Sequence, residues 1–209
     1  MKSNYIFILF LLLASACDSE KISKEESNSV NPRAVELSHS AMERFQDFNL
    51  GTINNSDSLE VSLTELEKAI ELEPNQIRFY SNKVNVLLTI GREDEAIEVL
   101  RKSITINPDF AEGLSFLGFI YSKRGENETA QEWFQKASKA YNQRIEKDRF
   151  VVNSKVSKAF LLHFTEDKDA AKEAFEKVKQ KYPENSEVLY SEQLFTDFDK
   201  EQFLMEFYH

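Results

Sequence analysis

Pro74 and Pro108 stand 34 positions apart, and the residues before them match in register: Ser62, Leu66 and Ala69 before the first, Ala96, Leu100 and Ser103 before the second. A fixed period of this length marks stacked helix pairs, none of which can bury its apolar stripes alone. Proline ends the second helix of each pair, because it lacks an N–H and pushes the preceding residue out of helical backbone. With 5 Gly and 4 Pro the chain has too few turn residues for a sandwich or barrel, while 41% apolar residues supply a core. The expected fold class is therefore all-α, built of antiparallel helix pairs.

The amino terminus follows a different logic. Lys2 precedes an apolar run from Tyr5 to Leu13, and Ala14-Ser15-Ala16 leads into Cys17. Such a run is too short for a bilayer-spanning helix, which needs about 20 residues, and reads as an export signal. Leu13-Ala14-Ser15-Ala16-Cys17 resembles a bacterial lipobox, with alanine where leucine is more usual three places before the cysteine. The resemblance implies cleavage after residue 16 and lipidation of Cys17. Cys17 is also the sole cysteine, so it has no disulfide partner within the chain. The reading is a signal peptide over 1–16 and a flexible Ser/Asn/Glu-rich tether over 17–33. The expected location is the bacterial cell envelope, anchored in the outer membrane on its periplasmic or surface face.

The repeat register is clearest from residue 111 onward: Leu114-x2-Leu117-Gly118-x2-Tyr121, Gly125, then Ala130-x3-Phe134-x2-Ala137. The unit before it reads Tyr80-x2-Lys83-Val84-x2-Leu87, Gly91, Ala96-x3-Leu100. A later copy reads Lys158-Ala159-x2-Leu162, then Ala171-x3-Phe175-x2-Val178-x4-Pro183, displaced by about seven residues near Arg144 to Phe150. This pattern resembles the tetratricopeptide repeat, in which small residues let helices approach and large ones fill the adjoining spaces. The resemblance implies about four helix pairs over 34–185, stacked as an α-solenoid with a right-handed superhelix. Residues 186–209 would follow as aromatic capping helices. Asp57 and Glu60 have capping-box spacing at the start of a helix. Glu98/Lys102, Glu132/Lys136 and Glu173/Lys177 recur at equivalent places and mark a solvated outer face.

In tetratricopeptide proteins the first helices of each pair line the concave surface where ligands sit. The corresponding triplets here are Asn82/Asn85/Thr89, Phe116/Phe119/Lys123 and Ser157/Phe160/Phe164, each on one helical face, with Arg78 a turn earlier and His163 beside the last. The candidate partner-binding residues are accordingly Arg78, Asn82, Asn85, Phe116, Phe119, Lys123, Phe160, His163 and Phe164, facing an extended or helical peptide. A competing reading has these phenylalanines covered by the chain's own carboxy-terminal segment, which is rich in Phe, Leu and Tyr. In a third, that segment is itself the partner surface.

No catalytic, metal or cofactor constellation is legible: His39, His163 and His209 are scattered, and no Gly-rich phosphate loop or nucleophile elbow occurs. A formal charge of −10 disfavours nucleic acid as a partner. The expectation is a non-enzymatic, lipid-anchored scaffold that binds a protein or peptide. The alternatives are an envelope assembly factor, resembling outer-membrane-protein assembly lipoproteins or pilotins, and a small-molecule-binding protein or hydrolase.

Overall fold

The computed structural model describes residues 30–207 except 54 and 56. The export signal over 1–16, Cys17 and most of the tether lie outside the described residues, as do positions 208 and 209. Those described contain eleven helices and no strand, and fall into two compact units, 30–108 and 109–207.

The first unit holds α1 (Pro32–Asn49), α2 (Asp57–Leu72), α3 (Ile77–Thr89) and α4 (Glu93–Ile106). α1 starts inside the stretch read as tether. Asn31 caps it by accepting from the Arg33 N–H at 2.9 Å, and Pro32 occupies the first turn, where a missing N–H costs nothing. Small residues set the close approach of α1 to α2: Ala34, Ala41, Ser62 and Ala69 are buried, and the Ser62 hydroxyl donates to the Ala41 carbonyl at 3.0 Å. Asp57 does not cap α2. It lies within the first turn, and its N–H donates to Asn55 Oδ1 at 2.9 Å, while Glu60 pairs with Arg92 at 3.0 Å. Gly91 ends the turn after α3 at φ +76°, a left-handed backbone that favours glycine.

The second unit holds α5 (Ala111–Lys123), α6 (Asn127–Glu146), α7 (Val151–Thr165), α8 (Lys168–Lys181) and three short helices, α9 (Ser186–Ser191), α10 (Gln193–Thr196) and α11 (Lys200–Glu206). Every residue of α5 from Ala111 to Tyr121 is buried, so this helix is enclosed on all sides. Gly118 makes that possible against α6: a Cβ there would lie 2.4 Å from the Phe134 ring. α6 runs to 20 residues against 14 for α4 and α8, which places the break in period where the sequence shows it. Phe150, at φ +47°, then reverses the chain into α7.

The three Glu/Lys pairs do not behave alike. Glu173 and Lys177 pair at 2.6 Å with both side chains exposed. Lys102 and Lys136 instead place their ammonium groups over rings, at 5.5 Å from Tyr80 and 4.1 Å from Trp133.

Candidate functional site

Of the nine candidate partner-binding residues, five are core. Phe116, Phe119, Phe160, His163 and Phe164 are each 5% exposed or less. As a correction to the open aromatic groove, the face they form on α5 and α7 is filled by α9 to α11. Phe203 lies 5.4 Å from Phe119 and 5.6 Å from both Phe160 and Phe164, centroid to centroid. Phe207 reaches Phe116 and Phe119, and Phe198 reaches Phe160 at 5.0 Å. Phe195 stacks nearly parallel on Phe175 of α8 at 4.0 Å. Most of these pairs are edge-on or tilted, the arrangements in which the positive ring edge meets the negative face.

Side-chain caps satisfy backbone N–H groups at the starts of two of these helices. Asn185 and Asp199 cap α9 and α11, accepting from Glu187 and Val188 and from Gln202, respectively. His163 Nε2 meets the Leu194 carbonyl at 3.1 Å, and its ring lies 4.2 Å from that of Phe198. The imidazole thus helps fasten the segment and is not presented to a ligand.

Burial pulls the His163 pKa down to about 4; the hydrogen bond to Leu194 opposes the shift, and the charges of Lys168 and Lys200 add to it. The unfolded ring takes up its proton near the ordinary value of 6.5, so between pH 6.5 and 4 the unfolded state holds more protons. Stability should fall as pH drops through that window, by up to about 3 kcal/mol. Urea unfolding of the wild type and His163→Gln at pH 7 and pH 4.5 checks this. The wild type should lose more on acidification than the variant, and equal losses would show that His163 carries none of the effect.

The other four candidates lie elsewhere. On α3, Arg78 is exposed and Asn82 and Asn85 are half-buried, with the Asn82 amide donating to Ser38 Oγ of α1 at 2.9 Å. Asn82 therefore ties two first helices together. Lys123 is half-buried at the end of α5.

One interaction escaped the sequence reading. Arg144, on the extension of α6, forms a two-pronged pair with Glu112 of α5, with Nη2 to Oε2 at 2.8 Å, and Glu112 is 4% exposed. Nothing in sequence spacing joins residues 32 apart on different helices. Tyr141 sits beside this pair; burial, reinforced by Glu112, pushes its hydroxyl pKa up. Among the described residues, no group of three or more His, Cys, Asp or Glu is placed to hold a metal ion.

The tetratricopeptide repeat model matches residues 77–110 and 111–144, the helix pairs α3–α4 and α5–α6. Residues 77–144 thus match two consecutive tetratricopeptide repeats. Among curated proteins the chain is similar to the Photosystem I assembly protein Ycf3 of Synechococcus sp. (strain CC9605), 30% identical over 106 residues, covering 46% of this chain and 61% of that one. It is also similar to the small glutamine-rich tetratricopeptide repeat-containing protein 2 of Mycosarcoma maydis, 36% identical over 69 residues, covering 33% and 20%. The chain thus spans about three fifths of the length of the Ycf3 relative. Among solved structures, MamA 41-end from Desulfovibrio magneticus RS-1 aligns at a TM-score of 0.44 and 20% identity over 89% of this chain and 99% of that one.

Proposed function

We propose that this protein is a lipid-anchored tetratricopeptide adaptor of the bacterial cell envelope that holds a protein partner. The observation that carries the reading is the pair of repeats over 77–144, helix pairs whose stacked faces serve to bind other proteins. Cys17, the sole cysteine, directly after Leu13-Ala14-Ser15-Ala16, supports the anchor. Two or three acyl chains at about 0.8 kcal/mol per buried methylene would hold it firmly in a membrane. Since Phe119 and Phe160 are core, contact with a partner is assigned to the polar first-helix face of α3, with Arg78 and Asn85 as the side chains that meet it. A second reading, an envelope assembly factor, is favoured by the similarity to Ycf3, a photosystem I assembly protein.

Two variants test the proposal in membranes. Cys17→Ala should move the protein to the soluble fraction, and continued lipid labelling would reject the anchor. Arg78→Glu combined with Asn85→Arg should deplete the crosslinked partners, and recovery of the same adducts at the same yield would reject the α3 face.

A further inference from the structure

α6, α7 and α8 enclose an open cleft of about 850 Å³ within the second unit. Its floor reaches Phe134, whose ring also meets Phe119 and Phe164 of the aromatic core. Lys155, Lys158, Leu162 and Thr165 line it at spacings of three and four residues, whereas Phe160 and Phe164 face the carboxy-terminal helices. The floor is apolar, formed by Phe134, Leu162, Ala174 and Val178. The wall contributed by α6 runs from Phe134 to Ile145, about 16 Å along a helix at 1.5 Å per residue. Its far end stands on the extension that breaks the repeat period.

The charge around this cleft is opposite to that of the chain. The protein carries a formal −10, yet the lining holds Lys139, Lys155, Lys158 and Lys177 against a single carboxylate, Glu166. Lys177 is paired with exposed Glu173, and Lys155 lies 5.8 Å from the Tyr182 ring. Lys139 and Lys158 make no ion pair among the described residues. A lysine at the rim of an apolar cleft keeps its stem against the floor and its ammonium in water, ready to meet a carboxylate.

We propose that this cleft docks an acidic amphipathic helix of a partner protein: its apolar stripe fills the floor and its flanking carboxylates meet Lys139 and Lys158. The length of the α6 wall, about three helical turns, fits an elongated segment and exceeds what a compact ligand needs. The site lies on second helices and the back of α7, so it is separate from the α3 face and does not depend on it.

The test is fluorescence anisotropy with the full chain and a labelled 18-residue peptide carrying leucines at helical spacing flanked by glutamates. The expected result is saturable binding that weakens with added salt and falls about tenfold for the Lys139→Glu/Lys158→Glu variant. The same peptide with glutamine for glutamate should bind about tenfold more weakly as well. Lys139 is exposed and Lys158 half-buried with no ion pair to lose, so the melting temperature of the variant should stay close to that of the wild type. Absence of saturation at about 1 mM peptide overturns the proposal. So does equal affinity for the glutamine peptide, or unchanged affinity in the lysine variant. Saturable binding of decanoate with no binding of the peptide would likewise overturn it, since the cleft would then take a small amphiphile.

Discussion

Phe203→Ala is expected to lower the stability of the second unit by about 3–5 kcal/mol, the cost of emptying a buried phenylalanine site that cannot collapse. Phe203 is 2% exposed and its ring meets those of Phe119, Phe160, Phe164, Phe198 and Phe207. Those neighbours lie on α5, on α7 and just beyond either end of α11, so none can move in to fill the void without displacing another ring. The chain has one tryptophan, Trp133, on α6 of the same unit, so its fluorescence during urea unfolding reports this unit. The midpoint should fall sharply, and the variant should bind an apolar dye as the carboxy-terminal helices loosen. Phe203→Leu, which keeps most of the volume, should lose far less. A loss below about 1 kcal/mol for Phe203→Ala would mean that α11 is not an integral part of this core.

Arg144→Met should cost a comparable amount, about 3–5 kcal/mol, for an electrostatic reason. Removing the guanidinium strands the Glu112 carboxylate at 4% exposure with its main counter-charge gone. Burial by itself disfavours the charged arginine, yet its pKa is raised, because the bonds and charge of Glu112 outweigh that penalty. The pair is thus strongly coupled. Replacing both partners, in Arg144→Met/Glu112→Leu, should recover most of the loss, because two apolar side chains leave no unpaired charge. Urea unfolding of the two single variants and the double variant gives the coupling. If the double variant loses the sum of the single losses, the two side chains are not coupled.

The helix pairs were legible because their spacing is a local property. Ala96, Leu100 and Ser103 lie on one face of α4, as Ala130, Phe134 and Ala137 do on α6, and these faces are buried in the structure. Local chemistry also explains the start of α1, where Asn31 and Pro32 form a cap the charge-rich surroundings obscured. The candidate site was legible only in part. Spacing correctly places Phe116, Phe119, Phe160 and Phe164 on apolar faces of first helices, but it carries no information on what those faces meet. Exposed Arg78 and half-buried Asn85 remain available by the same spacing because α3 has polar residues at the equivalent places.

By itself, the sequence determined a helical chain with a repeat of 34 residues, because periodicity, proline and glycine act through the backbone over a few residues. Only the tertiary structure decided that the aromatic face of α5 and α7 is sealed by α9 to α11, that Arg144 neutralises Glu112, and that lysines far apart in sequence ring one cleft. Those outcomes depend on contacts between segments separated by tens of residues. A burial pattern is written into each helix, whereas the partner that accomplishes the burial is chosen by the packing of the whole unit.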